Sequence, residues 1–144
     1  DFEDMTKKYI PRSKTAIKDA LGDSINYLIG VQLSPEKYDD VIIYLFTDGL
    51  ENASVNVNYT GDKLKKIIEN SEREYNIKVL YVGSNQDSIL NASSLGVSSG
   101  RAMDYNESAE GVCATYRALS AASKRSRSNE PIDFTLPERT RSMC

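Results

Sequence analysis

The run Val41-Ile42-Ile43-Tyr44-Leu45-Phe46 narrows the folds open to this chain more than any other feature. It has no polar interruption and is rich in the β-branched and aromatic side chains that suit a pleated surface. A strand with one wet face would alternate polar and apolar residues. An unbroken run reads instead as a strand covered on both faces, the environment of a parallel sheet with helices on either side. Thr47-Asp48-Gly49 follows directly, which puts a hydroxyl and a carboxylate at the strand's carboxyl end.

The flanking periodicities agree. Residues 13–31 read as a helix with Ile17, Leu21, Ile25, Leu28 and Val31 on one stripe, Ser13 or Thr15 as N-cap and Pro35 as a stop. A second helix starts near Thr60 and turns Leu64, Ile67, Ile68, Ser71 and Tyr75 inward. Residues 77–82 read as a second buried strand closed by Gly83, and 86–95 as a short helix ended by Gly96. A minor strand, 101–105, precedes Asn106 as the N-cap of a last helix, 107–123, with Val112, Tyr116 and Leu119 inward. Strand–helix alternation implies crossover connections and hence a parallel sheet. The predicted fold is therefore α/β, a doubly wound, Rossmann-like, mostly parallel sheet flanked by helices. After Lys124 the chain turns basic and polar, so 129–144 reads as a surface tail with ordered contacts at Ile132, Phe134 and Leu136. Lys124, Arg125 and Arg127 read as solvated charge, the tyrosines as mostly core, and Cys113 as a small core residue.

Composition narrows function mainly by exclusion. At 144 residues the chain holds one domain at most. A net charge of −3 lacks the basic footprint of a dedicated nucleic-acid binder, and no apolar run approaches the ~18 residues of a membrane span. There is no histidine, so Ser–His and Cys–His pairs and His-bearing zinc sites are excluded. A metal would be held by oxygen, which favours Mg²⁺ or Ca²⁺. Two cysteines, Cys113 and Cys144, are too few for a disulfide framework, and a reducing, cytoplasmic setting is the simpler expectation. The sequons at Asn52, Asn58, Asn91 and Asn106 read as accidental in a chain rich in Asn, Ser and Thr.

The segments also carry a family resemblance. Residues 41–52, from the apolar run through Thr47-Asp48-Gly49-Leu50-Glu51-Asn52, look like the fourth strand and third metal loop of von Willebrand factor A-type domains. Ser13-Lys14-Thr15-Ala16-Ile17-Lys18-Asp19-Ala20-Leu21-Gly22 resembles the family's second loop. Tyr81-Val82-Gly83-Ser84-Asn85-Gln86-Asp87, followed by Leu95-Gly96, resembles a subgroup of bacteria, phages and large DNA viruses. Ala118-Leu119-Ser120-Ala121-Ala122-Ser123 and then Arg125-Ser126 fit the same subgroup.

The resemblance implies that 1–128 is the C-terminal portion of such a domain and 129–144 a tail. It further implies that Thr15 is a direct hydroxyl ligand of a metal-ion-dependent adhesion site and Asp48 a ligand acting through water. The cofactor would be Mg²⁺, with Ca²⁺ or Mn²⁺ as alternatives. The open coordination position would accept a carboxylate from a protein partner; no enzymatic activity is implied, and neither nucleic acid nor membrane is an expected partner.

The family's Asp-x-Ser-x-Ser motif is not found upstream of Thr15. The fold is therefore expected to be incomplete at its N-terminal side, with the missing half in the same or another chain. Without that half, the 41–46 strand would present an open edge prone to aggregation. A metal-free structural role, for instance in a phage or large-virus particle, is the alternative, which would make the location a virion. A Mg²⁺-dependent hydrolase using Asp48 comes third. Taken singly, Asp48-Gly49 is a common turn pair, Thr15 a helix cap, Asn85-Gln86-Asp87 a cap and turn, and Glu51 and Asp104 solvated or locally bonded carboxylates. It is the order of the segments that favours the ligand reading.

Overall fold

The computed structural model describes residues 16–48, 52–60, 62–84 and 87–144. Three strands, β1 (Val41–Thr47), β2 (Ile77–Ser84) and β3 (Ala102–Tyr105), form one sheet in the order β1-β2-β3. Both pairings are parallel, with Leu45 opposite Tyr81 and Tyr81 opposite Ala102. The helices are α1 (Ile17–Gln32), α2 (Asp62–Tyr75), α3 (Ser88–Leu95), α4 (Ala109–Arg127) and α5 (Leu136–Ser142).

Successive strand residues face opposite sides, and two cores form accordingly. One gathers Ile17, Leu21 and Ile25 of α1, Leu64 and Ile68 of α2, and Ala92 and Leu95 of α3 over Val79, Tyr81 and Ala102. The other gathers Ala118, Leu119 and Ala122 of α4 with Ile132 and Phe134 over Leu80, Val82 and Met103. The expected parallel α/β sheet with helices on both faces is present.

Burial differs between the strands. All but one of the β2 residues are fully buried, whereas β1 leaves Tyr44 and Phe46 about 40 % exposed. Both strands are apolar runs, so the difference is positional. Among the described residues β1 has a neighbour on one side only, and it lies at the margin of the α4 core.

Local chemistry explains where the helices begin and end. The Asp87 carboxylate caps α3 by accepting from Leu90 N, and Gly96 closes it in the left-handed region at φ 95°. Helix α4 starts two residues later than the sequence suggests. Asn106 Oδ1 accepts from Ser108 N in a tight turn first, and Ser108 then caps the helix through Gly111 N. The buried stripe of α4 is Gly111, Thr115, Ala118, Leu119, Ala122 and Ser126. Small residues let this helix lie close to its neighbours; a Cβ on Gly111 would stand 2.4 Å from Asn106 O. Bulk is therefore a poor guide to its inner face, and two expectations fail there: Tyr116 is 62 % exposed, and Cys113 is exposed rather than core. The tyrosines divide likewise. Tyr59 and Tyr81 are buried, while Tyr27, Tyr38 and Tyr44 are exposed. In α1 it is Ile29, not the half-buried Leu28, that packs against the core.

The last segment is built in. Ile132 and Phe134 are buried as expected, but Leu136 is exposed and opens α5, which Thr135 and Glu138 close with a reciprocal capping box. Arg125, expected in solvent, pairs with Glu138 at 2.9 Å and donates to Pro131 O and Asp133 O. The Arg139 guanidinium donates to the carbonyls of Ser99, Gly100 and Ala102.

These pairs set a pH dependence. Burial alone would push Glu138 up, but hydrogen bonds from Arg125 and Thr135 outweigh it and hold the carboxyl below its ordinary 4.5. Asp40 behaves the same way: burial is outweighed by Lys78, 2.8 Å away, and Ser126, leaving it below 3.8. A carboxyl depressed in the folded state stabilises above its unfolded value and loses that contribution as pH falls through the folded one. Urea midpoints should therefore be flat from about pH 7 to 5 and fall below about pH 4. Glu138→Gln and Asp40→Asn should each flatten the acid limb.

Candidate functional site

Because all three strands run the same way, Thr47, Ser84 and Tyr105 end at one edge of the sheet. Register puts Thr47 opposite Gly83 and Gly83 opposite Asp104, so one row crosses the sheet just before that edge. Crevices beyond the carboxyl ends of parallel strands are where open α/β sheets place their ligands. Asp48 follows Thr47 and is exposed. Ser84 Oγ donates to Glu107 Oε1 at 2.8 Å, and Asp104 Oδ1 accepts from Ser88 N at 2.9 Å. Ser88 is fully buried, and its hydroxyl has no hydrogen-bond partner among the described residues. Asp104 and Asp87 thus secure the start of α3, the local roles expected of them.

The start of α1 reaches the same edge. Asp19 accepts from Val55 N at 2.8 Å and Asn56 N at 3.1 Å, and Asp19 N donates to Ser54 Oγ at 3.1 Å. One turn on, buried Tyr59 donates to Asp23 Oδ1 and accepts from Asn26 Nδ2, both at 2.8 Å. The Asp23 carboxylate, and then burial, raise the Tyr59 phenol above its ordinary 10.0, so it stays a donor. Gly22 makes room for the ring, since a Cβ there would stand 2.5 Å from it. At its other end α1 is tied to the opposite edge, where Gln32 donates to Tyr75 O just before β2 begins. Helix α1 therefore runs antiparallel to β1. Its first turn lies beside the loop that follows Asp48.

Of the two sequence-predicted ligands, Asp48 is at the carboxyl edge and Thr15 lies outside the described residues, as do Ser13, Gly49, Glu51, Asn85 and Gln86. Among the described residues no three Asp, Glu, Cys or His side chains gather as a metal-holding group. Asp19 and Tyr59 carry no local sequence signal of these roles. Their partners are more than 30 residues away, and no short pattern announces them.

A separate concavity of about 350 Å³ lies between α2 and the start of β3. Within it Arg101 makes a two-pronged pair with Glu72 at 2.5 and 2.6 Å, and its Nε lies 3.6 Å from Asp133, beyond hydrogen-bond reach. It is remote from the carboxyl edge and reads as structural. No helix among the described residues is long and apolar enough to cross a membrane. The chain matches no family model, no curated protein and no solved structure.

Proposed function

We propose that this chain is the C-terminal portion of a von Willebrand factor A-type module that binds a protein partner through a divalent cation, without catalysis. The cation is Mg²⁺, with Ca²⁺ or Mn²⁺ as alternatives, and Thr15 and Asp48 are among its oxygen ligands. The observation that carries this is the hydrogen bonding of the first turn of α1 to the loop after Asp48, at the carboxyl edge of a parallel sheet. Asp19, four residues after Thr15, is thereby joined to residues 54–56, which follow Asp48 in sequence.

The chemistry is consistent. Mg²⁺ prefers octahedral oxygen, keeps several waters and needs few protein groups. An exposed carboxylate supplies charge without desolvation, and an acidic group of the partner would occupy an open position. The remaining ligands would come from the upstream half, in the same or another polypeptide.

The state of β1 favours such a completion. Its outer edge is unpaired among the described residues, and its half-covered face shows Tyr44, Phe46 and Tyr116. Phe46 meets Tyr105 and Tyr116 with ring centroids 6.5 and 5.8 Å away. An open edge beside a contiguous aromatic patch is a surface that proteins normally cover. The same surface favours a second reading, a metal-free assembly component of a particle.

The test is a complex of the full-length protein with its partner, assembled in Mg²⁺. EDTA should dissociate it, Mg²⁺ should restore it, and Asp48→Ala should prevent it. A complex unchanged by EDTA and by Asp48→Ala would replace the metal-bridged mechanism with the assembly one.

A further inference from the structure

Strand β3 ends the sheet on the side away from β1, with β2 as its only strand neighbour among the described residues. An end strand turns a row of backbone groups outward, every second residue along its length, and that row is a template for another strand. Here the row is residues 100, 102, 104 and 106, and each of them meets the C-terminal segment. Gly100 O accepts from Phe134 N and from Arg139 Nη2, both at 2.8 Å. Ala102 O accepts from Arg139 Nη1, and Asp104 O accepts from Ser142 Oγ at 2.6 Å. Asn106 N donates to Ser142 O at 2.8 Å. Arg139 and Ser142 stand three apart on one face of α5, about 4.5 Å of helix rise, against about 6.6 Å between alternate strand residues. The long arginine side chain makes up the difference.

The segment is held from behind as well. Ile132 and Phe134 are buried in the α4 core, and Glu138 pairs with Arg125 of α4 at 2.9 Å. Ser108 Oγ donates to Cys144 O at 2.7 Å. Helix α5 comes so near α4 that a Cβ on Gly111 would stand 2.9 Å from Ser142 O.

We infer that residues 132–144 form a built-in edge cover, in which α5 takes the outer backbone groups of β3 and closes that edge to strand addition by a second copy of this chain. A strand in this place would satisfy β3 but pass an open edge on to its own far side. A helix bonds its backbone internally, so it ends the sheet. A second copy is the partner excluded because it carries the same edge: two uncovered β3 strands could pair antiparallel about a two-fold axis, each offering the groups the other lacks. This does not rest on the function proposed above.

Sedimentation velocity of the full chain over a concentration series tests the cover. Arg139→Ala and Ser142→Ala each uncover carbonyls of β3. Each should self-associate at concentrations about tenfold lower than the parent requires, the order expected when one or two edge bonds are offered to a partner strand. Arg141→Ala removes the same charge from the same helix. Its side chain is exposed and bonds nothing among the described residues, so it should sediment as the parent does. Amide exchange locates the contact: Asp104 N–H, on the outward row, should gain protection as the concentration of either variant rises. If Arg139→Ala loses the parent's circular dichroism, Ser142→Ala, which deletes a single oxygen, decides alone. Variants that sediment as the parent, or that associate without protecting Asp104 N–H, would overturn the cover.

Discussion

Tyr81→Ala lowers the free energy of unfolding by about 3–5 kcal/mol, the loss typical of deleting a large aromatic from a closed core. Tyr81 is 1 % exposed in the middle strand, between Leu45 and Ala102 in register, under the layer of α1, α2 and α3. No adjacent element can move into the space, because β2 is hydrogen-bonded on both sides. Total stabilities of about 5–15 kcal/mol leave little margin for such a loss. Tyr44→Ala on β1 is the matched comparison. Its ring is 40 % exposed and its hydroxyl bonds Ser123 Oγ at the surface, so the cost should stay near about 1 kcal/mol. Urea denaturation of the full-length variants checks both. Equal losses would contradict the assignment of β2, and not β1, as the buried centre.

Gly96→Ala costs about 2–5 kcal/mol by combining two penalties. The residue sits at φ 95°, where a Cβ is unfavourable by about 1–2 kcal/mol. That Cβ would also stand 2.6 Å from Lys65 Cα, on the backbone of α2, and forced overpacking adds about 1–3 kcal/mol. For a domain of this size the melting midpoint should drop by about 6–15 °C. Gly96→Asn tests the division, because asparagine tolerates left-handed backbone but not the contact, so it should rescue little. Gly30→Ala is the opposite case: a Cβ there meets nothing within 4 Å in an α1 interior, and stability should rise by about 0.5–1 kcal/mol.

Sequence patterns revealed the parts of this fold that announce themselves locally. Two apolar runs gave β1 and β2, Asp87 and Gly96 bracketed α3, and the 3.6-residue stripe of α2 placed Leu64 and Ile68. Where burial falls on small residues, as at Gly111, Ala118 and Ala122, the same pattern reading pointed to Tyr116 instead. The C-terminal segment was half legible. Ile132 and Phe134 stood out, and Thr135-Leu136-Pro137-Glu138 contains a capping box with a proline in the first turn, yet its short, polar character suggested a tail. Its anchors, Arg125 and Arg139, act through backbone carbonyls that no sequence spacing specifies. The edge of the sheet divides in the same way. Asp48 follows a recognisable strand, whereas Asp19 matters through partners 36 and 37 residues distant.

If Asp48 and the start of α1 share one cation, as proposed, a paramagnetic Mn²⁺ in its place reports on both. In amide spectra of the full-length protein, substoichiometric Mn²⁺ should broaden Thr47, Asp48, Ile17 and Asp19 together and spare Gln32 and Asn76 at the opposite edge. Asp48→Ala should abolish the effect. Broadening centred away from Asp48, or reaching Asp48 while leaving the first turn of α1 sharp, would contradict a shared site.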